Sequence, residues 1–205
     1  MPAFGSVGFI GRFKPLHNGA ALVLERLCEA ADHVVIGIGS SNKYNLRNPF
    51  TPEETKAMID AYLRPRFTNY ETLFVPDFGH LPEGRDGRLW KSYVIEYFGN
   101  LDVFVTGNSY VAELLKDHYA ILHSAALIPR EEQFRLRASA VRHAMALGAD
   151  WKSYVPKEVA AYLESHGLIE RFRNEFGLDM LAESAEHDWW ADEPLHAEQR
   201  YTHEV

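Results

Sequence analysis

The chain has 205 residues, enough for one domain with its own hydrophobic core and too few for two large ones. Apolar residues make up 46% of the composition and charged residues 24%, which excludes collagen-like, disordered and coiled-coil proteins. No stretch approaches the roughly 20 uncharged apolar residues of a membrane helix, and we expect no secretory signal in residues 1–7. The single cysteine, Cys28, excludes a disulfide framework and a cysteine-based zinc site, and it suits a cytoplasmic protein.

The net charge of −8 is distributed unevenly along the chain. Residues 178–205 contain eight acidic residues and one basic residue, whereas residues 1–177 are nearly neutral. We predict a domain over 1–177 and an acidic C-terminal tail over 178–205, with neither nucleic acid nor a membrane surface as partner. The composition of the tail favours a flexible segment, but Trp189 and Trp190 leave open a tail that docks on the body or on a neighbouring subunit.

Segments with strand and helix patterns alternate along the chain. In chain order we predict a strand at Val7–Ile10, a helix at Gly19–Ala31, a strand at His33–Gly39, a helix from Thr51 to Pro65, a strand at Thr72–Val75, a helix at Leu89–Phe98, a strand at Asp102–Thr106, a helix capped by Ser109 that reaches Asp117, a strand at Tyr119–Leu122, and helices at Ala138–Leu147, Pro156–His166 and Leu168–Phe176. The start of the second helix is the clearest, because Thr51 and Glu54 have the spacing of a capping box and Pro52 suits the first helical position. The alternation predicts an α/β fold with one doubly wound, parallel, five-stranded sheet and additional C-terminal helices.

The segment that follows the first predicted strand has the composition of a phosphate-binding turn. It reads Gly11-Arg12-Phe13-Lys14-Pro15-Leu16-His17-Asn18-Gly19-Ala20. Glycines allow close approach of the backbone, and the next helix offers N–H groups and the positive end of its dipole. Arg12, Lys14 and His17 add side-chain donors. Because ligands of open α/β sheets bind at the carboxyl ends of strands, we predict a phosphate site here, although neither a G-x-G-x-x-G nor a G-K-[ST] motif is present.

The pattern G-R-F-x-P-x-H-x-G in this turn resembles the signature of the HxGH nucleotidyltransferase superfamily. Further segments resemble one branch, the archaeal-type nicotinamide mononucleotide adenylyltransferases, and they follow in order as Ile36–Ser41, Arg47–Thr51, Val75–Asp77 with Leu89-Trp90, Thr106–Asn108 and Arg137–Arg142. The resemblance covers residues 7–173. This sequence departs from the family pattern at three places, which are Ala20 for the second histidine, Arg137-Ala138-Ser139 for S-G-T, and Thr55 for an arginine.

The resemblance implies a Rossmann-like nucleotidyltransferase fold and a reaction in which ATP and nicotinamide mononucleotide form NAD and pyrophosphate. It implies ATP as a substrate, Mg²⁺ held through phosphates rather than by protein ligands, and a homo-oligomer. Two alternatives stay open. The acceptor could be a different phosphorylated molecule, or the chain could be a nucleotide-binding regulator whose catalysis is weakened by Ala20.

The residues matched by the resemblance fall into three groups with implied roles. The catalytic group contains His17, Arg12, Arg47 and Arg142. The ATP-binding group contains Gly11, Phe13, Lys14, Gly19, Gly107, Asn108, Arg137 and Ser139. The acceptor-binding group contains Ser40, Ser41, Asp77 and Trp90. Adenylyl transfer needs cationic and N–H donors rather than an enzyme nucleophile, which these groups supply.

Several of these side chains have alternative structural interpretations. Arg47 could be a solvated loop charge, and Arg142 a surface arginine. Asp77 could cap its own loop, and Trp90 could be an ordinary core residue. The histidines show no spacing typical of metal ligands, so we predict no transition metal bound by the protein.

Overall fold

Five parallel strands form the centre of the fold, which confirms the predicted fold class. The computed structural model describes residues 2–132 and 136–186, with side chains through residue 183. The strand order is β3-β2-β1-β4-β5, where the strands are β1 (Phe4–Gly11), β2 (Ala31–Gly39), β3 (Tyr70–Val75), β4 (Val103–Thr106) and β5 (Ile121–His123). Strand β1 pairs with β2 on one side and with β4 on the other, so the order reverses beside β1. Doubly wound sheets bind their ligands at this point.

Helices cover both faces of the sheet. They are α1 (Asn18–Ala30), α2 (Pro52–Leu63), α3 (Arg88–Phe98), α4 (Ser109–Leu115), α5 (Ala138–Leu147), α6 (Lys157–Ser165) and α7 (Leu168–Glu186), and short 3₁₀ turns lie between some of them. Alternate residues of a strand point to opposite faces. Accordingly, Val34 and Ile36 belong to the larger core with α1, α2 and α5–α7, whereas Val35 belongs to the smaller core with α3 and α4.

The predicted capping box at α2 is confirmed. The hydroxyl of Thr51 accepts a hydrogen bond from the backbone N–H of Glu54 at 3.2 Å, and the Glu54 carboxylate accepts one from the N–H of Thr51 at 2.9 Å. This local pair fixes where the chain turns from the loop after β2 into the helix.

Some element boundaries differ from the predicted ones for identifiable reasons. Strand β1 begins at Phe4 rather than Val7, because Phe4 pairs with Ala31 of β2. The Asp102 carboxylate also accepts hydrogen bonds from the N–H groups of Gly5 and Ser6 at 2.7 and 3.1 Å. The predicted cap at Ser109 is wrong, since the cap of α4 is Asn108. The remaining boundaries differ by one or two residues, as helix and strand ends commonly do.

The last helix, α7, is longer than predicted. Its predicted end at Phe176 is wrong, because the helix continues through Gly177 to Glu186. Glycine inside a helix costs about 1 kcal/mol, and the burial of Met180 in the larger core offsets that cost. The first nine residues of the predicted tail are therefore helical. Trp189 and Trp190 lie outside the described residues, and the division into domain and tail stays a prediction for them.

In residues 2–132 and 136–186, no helix combines the length and the apolar character that crossing a membrane requires.

Candidate active site

The turn between β1 and α1 lies at the carboxyl edge of the sheet, beside the reversal of strand order. Its backbone is unusual, with a positive φ of 53° at Phe13 and a cis peptide bond between Lys14 and Pro15. The Phe13 ring is buried and lies directly over Gly11, where a Cβ atom would come within 2.7 Å of it. A larger residue at position 11 would force the buried Phe13 ring to move. Gly19 is in the first turn of α1.

His17 is the N-cap of α1. Its Nδ1 accepts a hydrogen bond from the backbone N–H of Ala20 at 3.3 Å. A neutral imidazole that accepts through Nδ1 carries its proton on Nε2 and donates from there. Burial, together with the positive charge of Arg142, lowers the pKa of His17 to about 4. At neutral pH the ring is thus an uncharged donor held in a fixed orientation.

Arg142 reaches the same turn from α5. It is 8% exposed, and its Nη1 donates to the backbone carbonyl of Lys14 at 2.9 Å. Its Nε is buried and has no hydrogen-bond partner within the described part of the chain. Burial and the charges of Arg12 and Arg47 lower the pKa of Arg142 to about 9, while Glu183 on α7 opposes this shift. The guanidinium is held in place with donor capacity unused, as expected of a group that receives an anion.

Positive charges from three distant segments converge around this turn. Arg12 and Lys14 come from the turn itself, Arg47 from the loop after β2, and Arg142 from α5. Burial and the charge of Arg12 lower the pKa of Lys14 to about 8, and Arg142 acts in the same sense on His17. Like charges destabilise one another, and a polyphosphate bound among them would relieve that repulsion. The convergence of positive charges supports the phosphate site, which stays a prediction.

Lys14 differs from the other cations because its side chain is completely buried. Its ammonium group donates to the backbone carbonyl of Ser40 at 3.2 Å. Ser40 has a positive φ of 51° and directly follows β2, so Lys14 ties the phosphate turn to the end of the neighbouring strand. The predicted contact of Lys14 with ATP stays a prediction beside this structural role.

The first turn of α5 completes this side of the site. Arg137 is the N-cap residue and is exposed, and Ser139 is half-buried one residue into the helix. The bond between Arg142 and Lys14 brings this helix start close to the turn before α1. Backbone N–H groups at helix starts favour anions, which suits the predicted roles of both side chains.

The ends of β4 and β5 form the other side of the switch point. A Cβ atom on Gly107 would lie 3.0 Å from the Ser124 hydroxyl and 3.9 Å from His123 Nε2. The carbonyl oxygen of the Asn108 side chain accepts from the N–H groups of Tyr110 and Val111, which caps α4. His123 and Ser124, which are not among the predicted site residues, lie at this edge because they directly follow a predicted strand.

The predicted acceptor-binding residues lie after β2 and β3, at the same edge of the sheet. Ser41 donates its N–H to the Val75 carbonyl at 3.1 Å. The Asp77 carboxylate accepts from the N–H of Gly79 at 2.8 Å, so Asp77 does cap its own loop. Trp90 is half-buried on α3 and packs against the smaller core. Their predicted contacts with a pyridine nucleotide stay predictions.

The site is cationic rather than acidic. Within residues 2–132 and 136–186, no three His, Cys, Asp or Glu side chains come together in a way that could hold a metal ion. Magnesium held through substrate phosphates stays a prediction.

We expect acid to destabilise the fold through His17. The pKa of this residue is about 4 in the folded chain and about 6.5 in the unfolded chain, so the unfolded state binds more protons between these values. The contribution of His17 to the free energy of unfolding is fully present above pH 6.5 and is lost as the pH falls through 4. The variant His17→Asn retains a capping acceptor and does not titrate. Its urea midpoint, measured from pH 7 to pH 4.5, should fall less steeply than that of the wild type, and parallel curves would contradict this assignment.

Comparison with known proteins identifies relatives of the whole domain. The cytidylyltransferase-like family matches residues 8–158. A nicotinamide-nucleotide adenylyltransferase from Thermococcus kodakarensis is 33% identical over 168 residues, which cover 80% of this chain and 85% of that protein. A protein of the same name from Pyrococcus horikoshii is 33% identical over 167 residues, covering 81% and 86% of the two chains.

Solved structures share the fold. A bifunctional NMN adenylyltransferase/ADP ribose pyrophosphatase from Francisella tularensis, solved with AMP and a manganese ion, is similar with a TM-score of 0.64 at 20% identity. The similarity covers 89% of this chain and 53% of that one, so this chain spans about half the length of the bifunctional protein. The expected nucleotidyltransferase fold is thereby confirmed.

Proposed function

Because the chain belongs to the cytidylyltransferase-like family, we propose that it transfers an adenylyl group from ATP to nicotinamide mononucleotide and forms NAD and pyrophosphate. The observation that carries this proposal is the convergence of Arg12, Arg47 and Arg142 on the turn that holds a neutral His17. The names of the archaeal relatives support the choice of acceptor.

The reaction requires positioning and charge neutralisation. A phosphate oxygen of the acceptor attacks the α-phosphorus of ATP, the bond to the bridging oxygen breaks, and pyrophosphate leaves with the electron pair. The attacking oxygen is already charged, so no side chain has to remove a proton. His17 Nε2 and the three guanidinium groups would donate to the phosphate oxygens and stabilise the negative charge that develops on pyrophosphate. Mg²⁺, bound through the phosphates, would supply further neutralisation.

The acceptor side of the proposal depends on the ends of β2 and β3. Trp90 would stack on the nicotinamide ring, and Asp77 with its loop would recognise the amide. Ser40 and Ser41 would contact the nucleotide near the phosphate turn. A different phosphorylated acceptor would change the roles of these residues, whereas a regulator with weakened catalysis would be explained by Ala20. The homo-oligomer stays a prediction.

An assay for NAD tests the proposal and the role of Ala20. Purified protein with Mg²⁺, ATP and nicotinamide mononucleotide should form NAD. The backbone N–H of Ala20 lies beside His17, so Ala20→His would add a second imidazole donor there, and we expect kcat to rise about tenfold or more. Ala20→Leu is the matched control, since it adds similar volume without a donor and should not raise kcat.

Two outcomes would contradict the proposal. Formation of no NAD, with tight ATP binding retained, would favour the nucleotide-binding regulator. Turnover of ATP with another phosphorylated acceptor at a higher kcat/KM would favour the alternative acceptor.

A further inference from the structure

The loop that carries Arg47 contains a tight turn over residues 45–48. The backbone N–H groups of Asn45 and Asn48 each donate to the carbonyl of the other, at 3.3 and 2.8 Å. The side-chain oxygen of Asn45 also accepts from the N–H groups of Arg47 and Asn48, both at 3.1 Å. Asn48 is 4% exposed, whereas the Arg47 side chain is exposed. The backbone position from which the Arg47 side chain extends is therefore set by this turn.

Arg171 on α7 holds the end of the turn. Its Nη2 donates to the carbonyl of Pro49, the residue after Asn48, at 3.0 Å. Its two terminal nitrogens donate to the two carboxylate oxygens of Glu54 at 2.6 and 2.7 Å. Bidentate pairs of this kind fix orientation as well as distance. One guanidinium thus joins α7 to both the turn and the start of α2.

The beginning of the turn is also tied to α7. The Tyr44 hydroxyl donates to the carboxylate of Glu175. The Tyr44 ring meets Phe176 edge-on, with 5.4 Å between ring centroids, and the Arg171 guanidinium lies 5.8 Å from its centre. The turn is consequently held on both sides by one helix that is more than 120 residues away along the chain.

The ion pair between Arg171 and Glu54 is partly buried, so loss of one partner would be costly. The side chains of Arg171 and Glu54 are 29% and 18% exposed. Burial by itself would raise the pKa of Glu54, but hydrogen bonds from Arg171 and Thr51 hold it below its ordinary value. The Glu54 carboxylate is therefore charged at neutral pH, and loss of Arg171 would leave it partly buried and unpaired. Such a carboxylate would draw in water and loosen the contacts around Pro49.

We propose that Arg171 is a positioning residue that acts through Arg47: by holding the turn of residues 45–48 against α7, it sets the distance between Arg47 and the bound phosphates. This inference rests on the proposed function for the identity of the ligand. The charge of Arg47 acts on Arg142 in the structure. A displacement of the turn would therefore change the electrostatic potential at the phosphate site. Misplacement of a binding group by about 1 Å costs up to about 10²-fold in rate.

A double-mutant cycle tests the proposal. Calorimetry on wild type, Arg171→Gln, Arg47→Ala and the double variant would measure the dissociation constants of Mg-ATP and of nicotinamide mononucleotide separately. We expect Arg171→Gln to weaken, by about tenfold, the same ligand that Arg47→Ala weakens. We expect the double variant to bind that ligand no worse than Arg47→Ala alone, because Arg171 acts through Arg47.

Three further variants separate positioning from general stability. Arg171→Lys keeps a positive charge beside the Glu54 carboxylate. It should therefore bind the ligand more tightly than Arg171→Gln does. Glu54→Gln retains the capping box and breaks the ion pair, so it should reproduce the binding defect of Arg171→Gln. Arg66→Gln is the matched control, since its ion pair with Glu25 at 2.9 Å lies away from the phosphate turn. It should lower Tm without changing either dissociation constant.

Unchanged dissociation constants in Arg171→Gln, with a loss of Tm like that of Arg66→Gln, would overturn the proposal. Full additivity with Arg47→Ala would overturn it as well. If Arg171→Gln does not fold, Arg171→Lys and Glu54→Gln decide the question by the same cycle. A wild type that binds ATP and forms no NAD would contradict the proposed function, while the binding cycle would still decide the role of Arg171.

Discussion

Replacing Arg142 by methionine is expected to stabilise the protein without ligand and to remove nearly all adenylyl transfer. In the folded chain, burial and the charges of Arg12 and Arg47 lower the pKa of Arg142 from 12.5 to about 9. This difference of about 3.5 in pKa corresponds to a penalty of about 5 kcal/mol on the charged form. The hydrogen bond to the Lys14 carbonyl opposes it with about 1.5–3 kcal/mol. Relief of the penalty is the larger effect, and the free energy of unfolding should rise by about 2–3 kcal/mol.

The same substitution removes a fixed positive charge from the phosphate site. We expect kcat/KM for ATP to fall by about 10³-fold, because the guanidinium would neutralise charge on the leaving pyrophosphate. Thermal unfolding with and without Mg-ATP checks both effects, since the variant should have the higher Tm alone and the smaller increase with ligand.

Arg173→Met is the control for the stability of Arg142→Met. Arg173 also donates to a backbone carbonyl, that of Met145 at 2.7 Å, but its side chain is exposed. Its replacement should therefore lower Tm slightly or leave it unchanged. A lower Tm for Arg142→Met in the absence of ligand would show that its charge is compensated in the fold, and a normal kcat/KM would exclude it from the phosphate site.

Replacing His17 is expected to lower kcat by about 10²–10³-fold, the usual effect of losing one preorganised donor. We expect two separable roles for His17, because Nδ1 caps α1 and Nε2 is predicted to donate to the phosphates. His17→Asn keeps a capping acceptor, whereas His17→Ala does not, and loss of a cap costs about 1 kcal/mol. The two variants should therefore lose kcat equally, while only His17→Ala should lose stability.

Steady-state kinetics and urea unfolding of both variants measure these two effects. A variant His17→Asn that turns over normally would show that the phosphates bind elsewhere. A loss of kcat restricted to His17→Ala would show that the histidine acts only through the start of α1.

The architecture and the location of the site were predictable from the sequence because their signals are local. Strand and helix periodicity indicated five parallel strands, and the capping box at Thr51 depends on residues three positions apart. The turn at Gly11–Gly19 could be located since donors and glycines there directly follow a strand. Arg47 and Arg142 are distant from this turn in the sequence. They were assigned to the site because they match the family pattern, since no local signal indicates their contact with the turn.

Tertiary structure alone decided how these residues work. Arg142 meets the Lys14 carbonyl across 128 positions of sequence, and Lys14 turns inward to Ser40 instead of outward. Helix α7 passes Gly177 because Met180 is buried in the core, which no local signal shows. Local patterns report only the preferences of neighbouring residues. The packing of the whole chain holds several positive charges together against their repulsion, and that arrangement determines which of them can receive a phosphate.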